Sequence, residues 1–246
     1  MTGPVIAGSA LEGPARAAQI RSMFTRIVPR YDLVNSTMTF GMDRRWRRAT
    51  IAMVQPHDAV ALDVATGTGE LAFELMRQGA RRVVGVDFCR AMLDVAATKP
   101  ALNGADRAPA GYVAGDALSL PFASESFDAL VNGFLLRNLV DLPRALREFY
   151  RVLKPGGRIA CLDVTHPPSV LRPLCLAYFN WIVPIIGGVI SGDYAAYRYL
   201  PNSLRRHPDA RRLAAMMSQA GFVDTGFRLF NFGLIAVHVG RKPGTV

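Results

Sequence analysis

The sequence predicts an α/β fold in which a mostly parallel sheet carries helices on both faces. Three observations support this: short apolar runs alternate with helical patterns, a glycine-rich turn follows the first run, and two strand patterns meet around Gly233. Strands that alternate with helices form parallel sheets, because each connection crosses back over the sheet. The final hairpin reverses one strand, so we expect seven strands of which one is antiparallel.

The residues before the first strand are predicted to add two helices. Residues 1–15 are small and polar, and we expect a flexible N-terminus. Apolar residues at helical spacing predict a first helix over 17–27, ended by Pro29. Residues 31–40 are interpreted as a connection, and 43–54 as a second, basic helix. Its arginines are Arg44, Arg45, Arg47 and Arg48.

The middle and end of the chain supply the sheet. The predicted strands are near 60–65, 82–87, 111–114, 128–133, 158–163, 226–231 and 234–240. The predicted helices are near 69–78, 90–98, 142–153 and 209–220. The run Lys154-Pro155-Gly156-Gly157 is typical of a helix end and a tight turn into the fifth strand.

Residues 168–200 break this alternation and are predicted to be a helical cap insertion. The stretch 174–190 is nearly all apolar, but Pro184 and Gly187-Gly188 are expected to interrupt it. We therefore expect no continuous membrane-spanning helix. At 246 residues, the chain fits a single domain over 16–246, which includes N-terminal helices at 17–54.

Composition limits the partners and the compartment. The formal charge of +10 comes almost wholly from arginine, which fits an anionic membrane surface, nucleic acid or a solvated basic face. The three cysteines show no paired spacing and no secretory signal is present, so we expect a reducing, cytoplasmic location. Four scattered histidines without an acidic or cysteine cluster predict no metal site.

The glycine-rich turn predicts a nucleoside pocket. Residues 60–70 read Val-Ala-Leu-Asp-Val-Ala-Thr-Gly-Thr-Gly-Glu, and the next strand ends in Asp87, 18 residues after Gly69. Glycines let the backbone approach a ligand, and an acid at the next strand tip accepts hydrogen bonds from ribose hydroxyls. The turn lacks the third glycine of dinucleotide sites and the Gly-Lys-Ser/Thr of triphosphate sites. S-adenosylmethionine, a nucleoside without phosphates, is therefore the candidate ligand.

Further residues are assigned to this pocket by their place after predicted strands. Asp116, followed by Ala117, is expected to accept the adenine amino group, with a helix cap or turn aspartate as the alternative. Phe88 or Met92 is expected to pack on the adenine. The predicted cofactor-binding residues are Asp63, Gly67, Thr68, Gly69, Asp87, Met92, Asp116, Ala117 and Gly133.

Several distant motifs resemble one family, the quinone-biosynthesis C-methyltransferases that act on demethylmenaquinol or on the polyprenyl benzoquinol precursor of ubiquinone. The resemblance runs from about Ala17 to Arg241 and is strongest in three motifs. The matching stretches are Tyr31-Asp32-Leu33-Val34-Asn35, Thr39-Phe40-Gly41, Trp46-Arg47-Arg48, Leu120-Pro121-Phe122, Leu136-Arg137-Asn138, Arg151-Val152-Leu153-Lys154-Pro155-Gly156-Gly157 and Tyr197-Arg198-Tyr199-Leu200. Of these, Tyr-Asp-x-x-Asn, Leu-Arg-Asn and Tyr-Arg-Tyr-Leu are the specific ones.

The resemblance implies a Rossmann-like class I methyltransferase fold and S-adenosylmethionine as the methyl donor. It favours methylation of demethylmenaquinol to menaquinol, with benzoquinol methylation or a paralogous small-molecule substrate as alternatives. A degenerate domain that binds a partner without catalysis stays open. Nucleic acid is disfavoured, because the tip of the fourth strand reads Leu136-Arg137-Asn138 and lacks the Asn/Asp-Pro-Pro-aromatic motif of base amino methylation.

Two departures from the family pattern leave room for a paralogue that acts on a related substrate. The family's Ser-Phe-Gly-Leu-Arg-Asn is here Gly133-Phe134-Leu135-Leu136-Arg137-Asn138, so the serine hydroxyl is missing. The acid of the fifth strand, often Glu, is Asp163.

Carbon methylation of a quinol needs a phenolate, and the tip of the fourth strand offers Arg137 to stabilise it and Asn138 to orient a hydroxyl or a water. The resemblance adds Tyr31 to these two residues. Arginine is a poor proton acceptor, so Arg137 is given electrostatic stabilisation. The base stays open between Asp163, His166 and a water held by Asn138. The structural alternatives are an Arg137–Asp141 ion pair, Asn138 as a helix cap and Tyr31 as a core residue.

The remaining expectations concern partners. The cap is expected to hold the isoprenoid tail of a polyprenylated quinol. The cluster Arg44–Arg48 and the basic first helix are expected to rest on anionic lipid at the inner face of the membrane. A homodimer is left open.

Overall fold

The sheet has seven strands in the order β3-β2-β1-β4-β5-β7-β6. The computed structural model describes residues 13–99, 109–197, 203–204 and 207–244. The strands are β1 Val60–Val64, β2 Arg82–Asp87, β3 Gly111–Ala114, β4 Phe127–Gly133, β5 Leu153–Val164, β6 Val223–Phe230 and β7 Ile235–Arg241. Strands β1 to β5 pair in parallel, and β7 runs antiparallel to both β5 and β6. The predicted fold class is confirmed.

Helices cover both faces of this sheet. They are α1 Gly13–Ile27, α2 Tyr31–Met38, α3 Asp43–Val54, α4 Glu70–Arg77, α5 Arg90–Thr98, α6 Leu142–Val152, α7 Arg172–Ala177, α8 Val183–Ser191 and α9 Ala210–Gln219. Side chains alternate along each strand, so one strand feeds two cores. Ala61 of β1 packs in the core under α3 and α4, whereas its neighbour Leu62 packs in the core under α6 and α9.

The strand order reverses beside β1, which positions the site. Strand β1 pairs with β2 on one side and with β4 on the other, so Val64 lies opposite both Val86 and Asn132. The connections after β1 and β4 therefore leave the sheet in opposite directions and open a crevice at the carboxyl ends of the strands. Ligands of open α/β sheets bind at such a switch point.

The N-terminal region differs from two expectations. Helix α1 begins at Gly13, inside the segment predicted to be flexible, and residues 1–12 lie outside the described part of the chain. The stretch 31–40, predicted to be a connection, contains helix α2. Its local pattern is weak, and it is stabilised by burying Val34 in a cluster with Val183 of α8. This contact is tertiary and cannot be read from spacing.

Strand β5 begins earlier than the prediction near 158. Leu153 already pairs with Phe127 of β4, and the register shifts before Arg158 pairs with Ala129. The Lys-Pro-Gly-Gly run is therefore an irregular part of the strand. Gly156, with φ +81°, gives its amide to the carbonyl oxygen of Lys242, so the C-terminal segment holds it in the sheet.

The cap contains one unbroken helical stretch, and the expected interruption is wrong. A π-helical turn, Tyr178–Ile182, joins α7 to α8 directly before Pro184. The wider π turn moves the preceding carbonyl groups away from the proline ring, and it accommodates the hydrogen bond that the proline cannot donate. Gly187 does not interrupt the helix but makes room for Tyr197, because a Cβ at this position would lie 2.1 Å from the ring of Tyr197. The rest of the Tyr-Arg-Tyr-Leu motif, 198–200, lies outside the described residues.

Candidate active site

A cavity of about 530 Å³ opens at the switch point. Its floor is formed by the ends of β1, β2 and β4, and α1 and α2 close it from above. The residues of α1 and α2 in its wall are Ala18, Ile20, Arg21, Phe24 and Tyr31. The volume is within the range of small-molecule sites. The place of α1 in this pocket was not predicted, because the spacing of its apolar residues indicates a helix but not where the helix packs.

The turn after β1 adopts left-handed backbone geometry at three positions, Ala65, Gly67 and Gly69. At Gly67 a Cβ would meet nothing within 4 Å, so this glycine leaves open space at the cavity wall. At Gly69 a Cβ would lie 2.7 Å from the hydroxyl of Tyr112. The first glycine thus gives access to a ligand, and the second lets β1 pass into α4 beside Tyr112.

Asp87 presents a buried carboxylate to the cavity. Its Oδ2 accepts from the amide of Gly67 at 2.9 Å, and its Oδ1 accepts from the amide of Cys89 at 2.8 Å. Burial raises the pKa of Asp87, and these backbone hydrogen bonds act against the rise. Each carboxylate oxygen keeps a further lone pair, so the side chain can also accept from two ribose hydroxyls.

Three of the predicted cofactor residues lie behind the cavity wall and hold the turn. Asp63 is fully buried and accepts from the Thr66 hydroxyl at 2.7 Å, and burial raises its pKa to about 7. Thr68 donates its hydroxyl to Asp32 of α2 at 2.6 Å. Gly69 is the third. Direct contact of these residues with a cofactor stays a prediction.

The other predicted cofactor residues lie in the wall: Gly67, Asp87, Met92, Asp116, Ala117 and Gly133. Asp116 also accepts from the amide of Leu118 at 2.9 Å, so it is at once a turn aspartate and a wall residue. At Gly133 a Cβ would lie 2.9 Å from Cδ1 of Leu71. A serine there would displace the end of Leu71, which explains why a glycine fits this chain.

Asp32 is a residue that the sequence analysis did not assign. Besides Thr68, it pairs with Lys99 at the end of α5, and Lys99 also pairs with Glu70 at the start of α4, both at 2.7 Å. Arg47 of α3 continues the network to Glu70 at 3.0 Å. These ion pairs fasten α2 and α3 to the glycine turn, and only the fold brings them together.

Two of the three predicted catalytic residues, Tyr31 and Asn138, lie in the cavity wall. Asn138 donates its Nδ2 to the carbonyl of Phe134 at 3.1 Å, and its buried Oδ1 has no partner among the described residues. Burial raises the pKa of Tyr31, while a hydrogen bond with Asn35 and, to a smaller extent, the charge of Arg137 counter that rise. At neutral pH Tyr31 therefore keeps its proton and is a hydrogen-bond donor.

Arg137 lies one layer behind this wall. Its guanidinium pairs with the buried Asp163, which also accepts from the backbone amide of Arg137 at 3.3 Å. The alternative pair with Asp141 is wrong, because Asp141 caps α6 by accepting from the amide of Arg144. For the same reason Asn138 is not the cap of that helix.

The candidate base His166 is held away from this arrangement. Its Nε2 contacts the carbonyl oxygen of His207 at 2.8 Å, and it is absent from the cavity wall. Asp163 is engaged by Arg137 and by the amide of Val164 at 2.8 Å. A water held by the free Oδ1 of Asn138 is the candidate base that this geometry leaves accessible.

The residues present fit S-adenosylmethionine. An open glycine, a carboxylate at the β2 tip and a second carboxylate at Asp116 face one cavity. Met92 and Phe88 add apolar wall surface beside them, and the guanidinium of Arg21 stacks over Phe88 at 5.3 Å. Among the described residues no His, Cys, Asp and Glu group suits a metal ion.

Curated relatives share most of this chain. A demethylmenaquinone methyltransferase of Thermus thermophilus is 43% identical over 90% of this chain and 100% of its own length. A demethylmenaquinone methyltransferase of Roseiflexus castenholzii is 44% identical over 93% of this chain and 95% of its own length. The ubiquinone/menaquinone biosynthesis C-methyltransferase UbiE of Desulfotalea psychrophila is 42% identical, over 91% and 90%.

Solved structures share the fold at lower identity. A SAM-dependent methyltransferase of Thermotoga maritima matches with a TM-score of 0.64 at 21% identity, covering 91% of this chain and 99% of that one. The [4+2]-cyclase SpnF matches with a TM-score of 0.63 at 18% identity, over 97% and 100%. The model of the ubiE/COQ5 methyltransferase family matches residues 14–242. The chain belongs to the ubiE/COQ5 methyltransferase family.

Proposed function

We propose that this protein transfers the methyl group of S-adenosylmethionine to a ring carbon of a polyprenylated quinol, converting demethylmenaquinol to menaquinol. Its relatives at 42–44% identity carry the names of such enzymes. The observation that carries the proposal is that one cavity joins the cofactor residues Gly67 and Asp87 to Tyr31 and Asn138. Donor and acceptor can therefore meet in it.

The cofactor half of the cavity binds and orients. The sulfonium of bound S-adenosylmethionine supplies an activated methyl group, so the protein need not polarise the bond that breaks. Asp87 holds the ribose, and Gly67 lets the methionine part lie against the backbone. Alignment of the ring carbon with the methyl, together with exclusion of water by α1 and α2, provides most of the acceleration.

The acceptor half makes the ring carbon nucleophilic. A quinol carbon attacks when a neighbouring hydroxyl loses its proton, and the oxyanion then needs donors. Tyr31 donates its hydroxyl to that oxygen, and Asn138 orients the water that takes the proton. After methyl transfer, the ring carbon loses its hydrogen as a proton and the oxygen is reprotonated, which restores the aromatic ring. Arg137 adds positive charge from behind the wall, and its pair with Asp163 holds the Leu136–Asn138 turn in place.

The enzyme acts from the cytoplasmic face of the membrane as a peripheral protein. This follows from the substrate, whose isoprenoid tail keeps it in the bilayer, and from the charge of +10. The cap, which lies over the same end of the sheet, shelters the part of the tail nearest the ring.

Methyl transfer from labelled S-adenosylmethionine to demethylmenaquinol and to its benzoquinol counterpart tests the proposal. We expect label in the naphthoquinol product and little in the benzoquinol. Calorimetry of S-adenosylmethionine binding on the same preparation is the control. A protein that binds the cofactor but labels neither quinol would contradict the reaction, and one that binds no cofactor would support the non-catalytic alternative.

A further inference from the structure

The outer side of the cap is a row of exposed apolar side chains. Leu174, Trp181, Ile185 and Val189 are spaced seven, four and four residues apart, which places them along one face of the helical stretch Arg172–Ser191. Leu174 is 72% exposed, Trp181 68% and Val189 78%. Such a continuous apolar surface on a water-facing helix indicates a missing partner.

The opposite face of this stretch is fixed to the protein. Val183 and Gly187 are buried, Tyr178 donates its hydroxyl to the carbonyl of Met38, and Arg30 donates to the carbonyl of Ile190. By length and composition the stretch is the one helix among the described residues that could cross a membrane, yet only 17% of its apolar window is buried. Crossing a bilayer would break these contacts, so the helix is placed to lie flat.

Two more exposed aromatic side chains lie at the same end of the sheet. Phe40, in the α2–α3 turn, is 77% exposed, and Phe232, in the β6–β7 turn, is 87% exposed. The turns are joined, because Asn231 accepts from Trp46 at 2.9 Å and contacts the sulfur of Met42 at 3.1 Å. The β6–β7 turn lies directly before Ile235, which pairs with Val164 at the carboxyl end of β5. This is the end of the sheet at which the cavity opens.

The charge beside these apolar groups is positive. The stretch Arg172–Ser191 contains no Asp or Glu, and it begins with the exposed Arg172. Arg26 and Arg30 lie at its other end, where Asp193 offsets the charge of Arg26 by pairing with it at 2.8 Å. The positive charge that flanks the stretch therefore comes from Arg172 and Arg30. Apolar side chains that enter the acyl boundary, flanked by arginines that reach phosphates, match an anionic bilayer surface.

We propose that this surface, formed by the outer face of Arg172–Ser191 with Phe40 and Phe232, docks on an anionic lipid bilayer. We name it the docking face. The role of the docking face rests on the proposed function, because docking would turn the cavity toward a quinol that is held in the membrane. The cluster Arg44–Arg48 then contributes charge around the docking face and is not itself the contact.

Fluorescence reports the contact directly. The chain has two tryptophans, of which Trp46 is buried and Trp181 is on the docking face. With vesicles of phosphatidylcholine and phosphatidylglycerol, we expect the emission of Trp181 to shift to the blue and to be quenched by brominated acyl chains, and with pure phosphatidylcholine much less. A Trp181→Phe variant, which leaves only the buried Trp46, is the control and should show neither change. Binding without quenching of Trp181 would place the contact elsewhere and overturn the docking face.

A matched pair of variants tests the energetics. Trp181→Gln with Val189→Gln should weaken binding to the anionic vesicles by about tenfold or more, because it removes apolar groups that enter the acyl region. Val223→Gln is the control, since Val223 is exposed at the start of β6, where it pairs with Arg241 at the end of the sheet opposite to the β6–β7 turn. Equal loss in both variants, or no loss in the double variant, would contradict the proposal.

Two readouts separate the alternatives. Binding of S-adenosylmethionine should be unchanged in both variants, which shows that they are folded. Sedimentation without lipid should give the same mass for wild type and variants, and a wild-type dimer that the double variant dissociates would assign the docking face to a second copy. Vesicle binding needs no quinol, so failure of methyl transfer with intact vesicle binding would overturn only the proposed reaction.

Discussion

The glycine turn and the cap lie at the same end of the sheet and are built in opposite ways. The turn buries polar groups and pairs them: Asp87 accepts from two amides, and Asp63 accepts from Thr66. The cap exposes apolar groups and pairs few of them with protein. A buried polar site suits a small ligand that is recognised by specific hydrogen bonds. An exposed apolar surface suits lipid, which needs only apolar contact. We therefore propose that polar contacts hold the methyl donor in the cavity, whereas apolar contacts of the cap meet the membrane that carries the acceptor.

Removing Asp87 should have the largest effect. The Asp87→Ala variant should lose about 4 kcal/mol of binding free energy for S-adenosylmethionine, about 1000-fold, because two charge-assisted hydrogen bonds are lost. Calorimetry measures this. The docking-face variant Trp181→Gln is the matched control and should bind as wild type does. If both variants bound S-adenosylmethionine equally well, Asp87 would have no part in holding the cofactor.

Removing the charge of Arg137 should come next. Arg137→Gln should lower kcat about 100-fold, as loss of an oxyanion-stabilising charge does, while affinity for S-adenosylmethionine stays within about twofold. Arg137→Lys, which keeps the charge, should recover part of the loss. Because the partner Asp163 is left buried and unpaired, thermal unfolding must accompany the kinetics. Unchanged kcat would remove Arg137 from the mechanism.

The pH dependence of stability should separate the contribution of Asp63, before the glycine turn, from that of His238, in β7. Asp63 has a pKa raised to about 7, so its contribution is present below its unfolded pKa near 3.8 and is lost as pH rises through 7. Burial lowers the pKa of His238, in β7, to about 4, so its contribution is present above 6.5 and is lost as pH falls through 4. Between about pH 4 and 6.5 the two slopes oppose one another, each at most about 1.4 kcal/mol per pH unit.

Replacing His238 should therefore leave the pH dependence of stability that Asp63 causes. In His238→Gln, denaturant unfolding should show stability that falls as pH rises from 4 to 6.5, and the further change Asp63→Asn should flatten the curve. A flat profile in the single variant would mean that Asp63 is ionised in the native state.

Loosening α2 should have the smallest effect. Asp32→Asn removes the ion pair with Lys99 but keeps an acceptor for Thr68, and we expect about fivefold weaker binding of S-adenosylmethionine, from about 1 kcal/mol. Thr68→Val, which removes only the hydroxyl, provides the comparison. Stronger cofactor binding in Asp32→Asn would show that the ion pairs hinder closure instead of supporting it.

The sequence predicted the parts that local pattern encodes. Strands β2 and β3 and helices α3 and α5 match their predicted bounds, because buried strands and amphipathic helices leave periodic signals. Helix α2 was missed because its support comes from α8, and the cap was misjudged because a π turn absorbs Pro184. The Arg137–Asp163 pair joins residues 26 apart, and sequence spacing favoured the nearer Asp141.

The position of the transferred methyl group on the product distinguishes ring methylation from methylation of an oxygen. The enzyme is incubated with labelled S-adenosylmethionine and demethylmenaquinol, and the product is examined by NMR. We expect label on the ring carbon, at a rate that Asn138→Ala lowers without changing the affinity for S-adenosylmethionine. Label on a quinol oxygen, or ring methylation indifferent to Asn138, would contradict it.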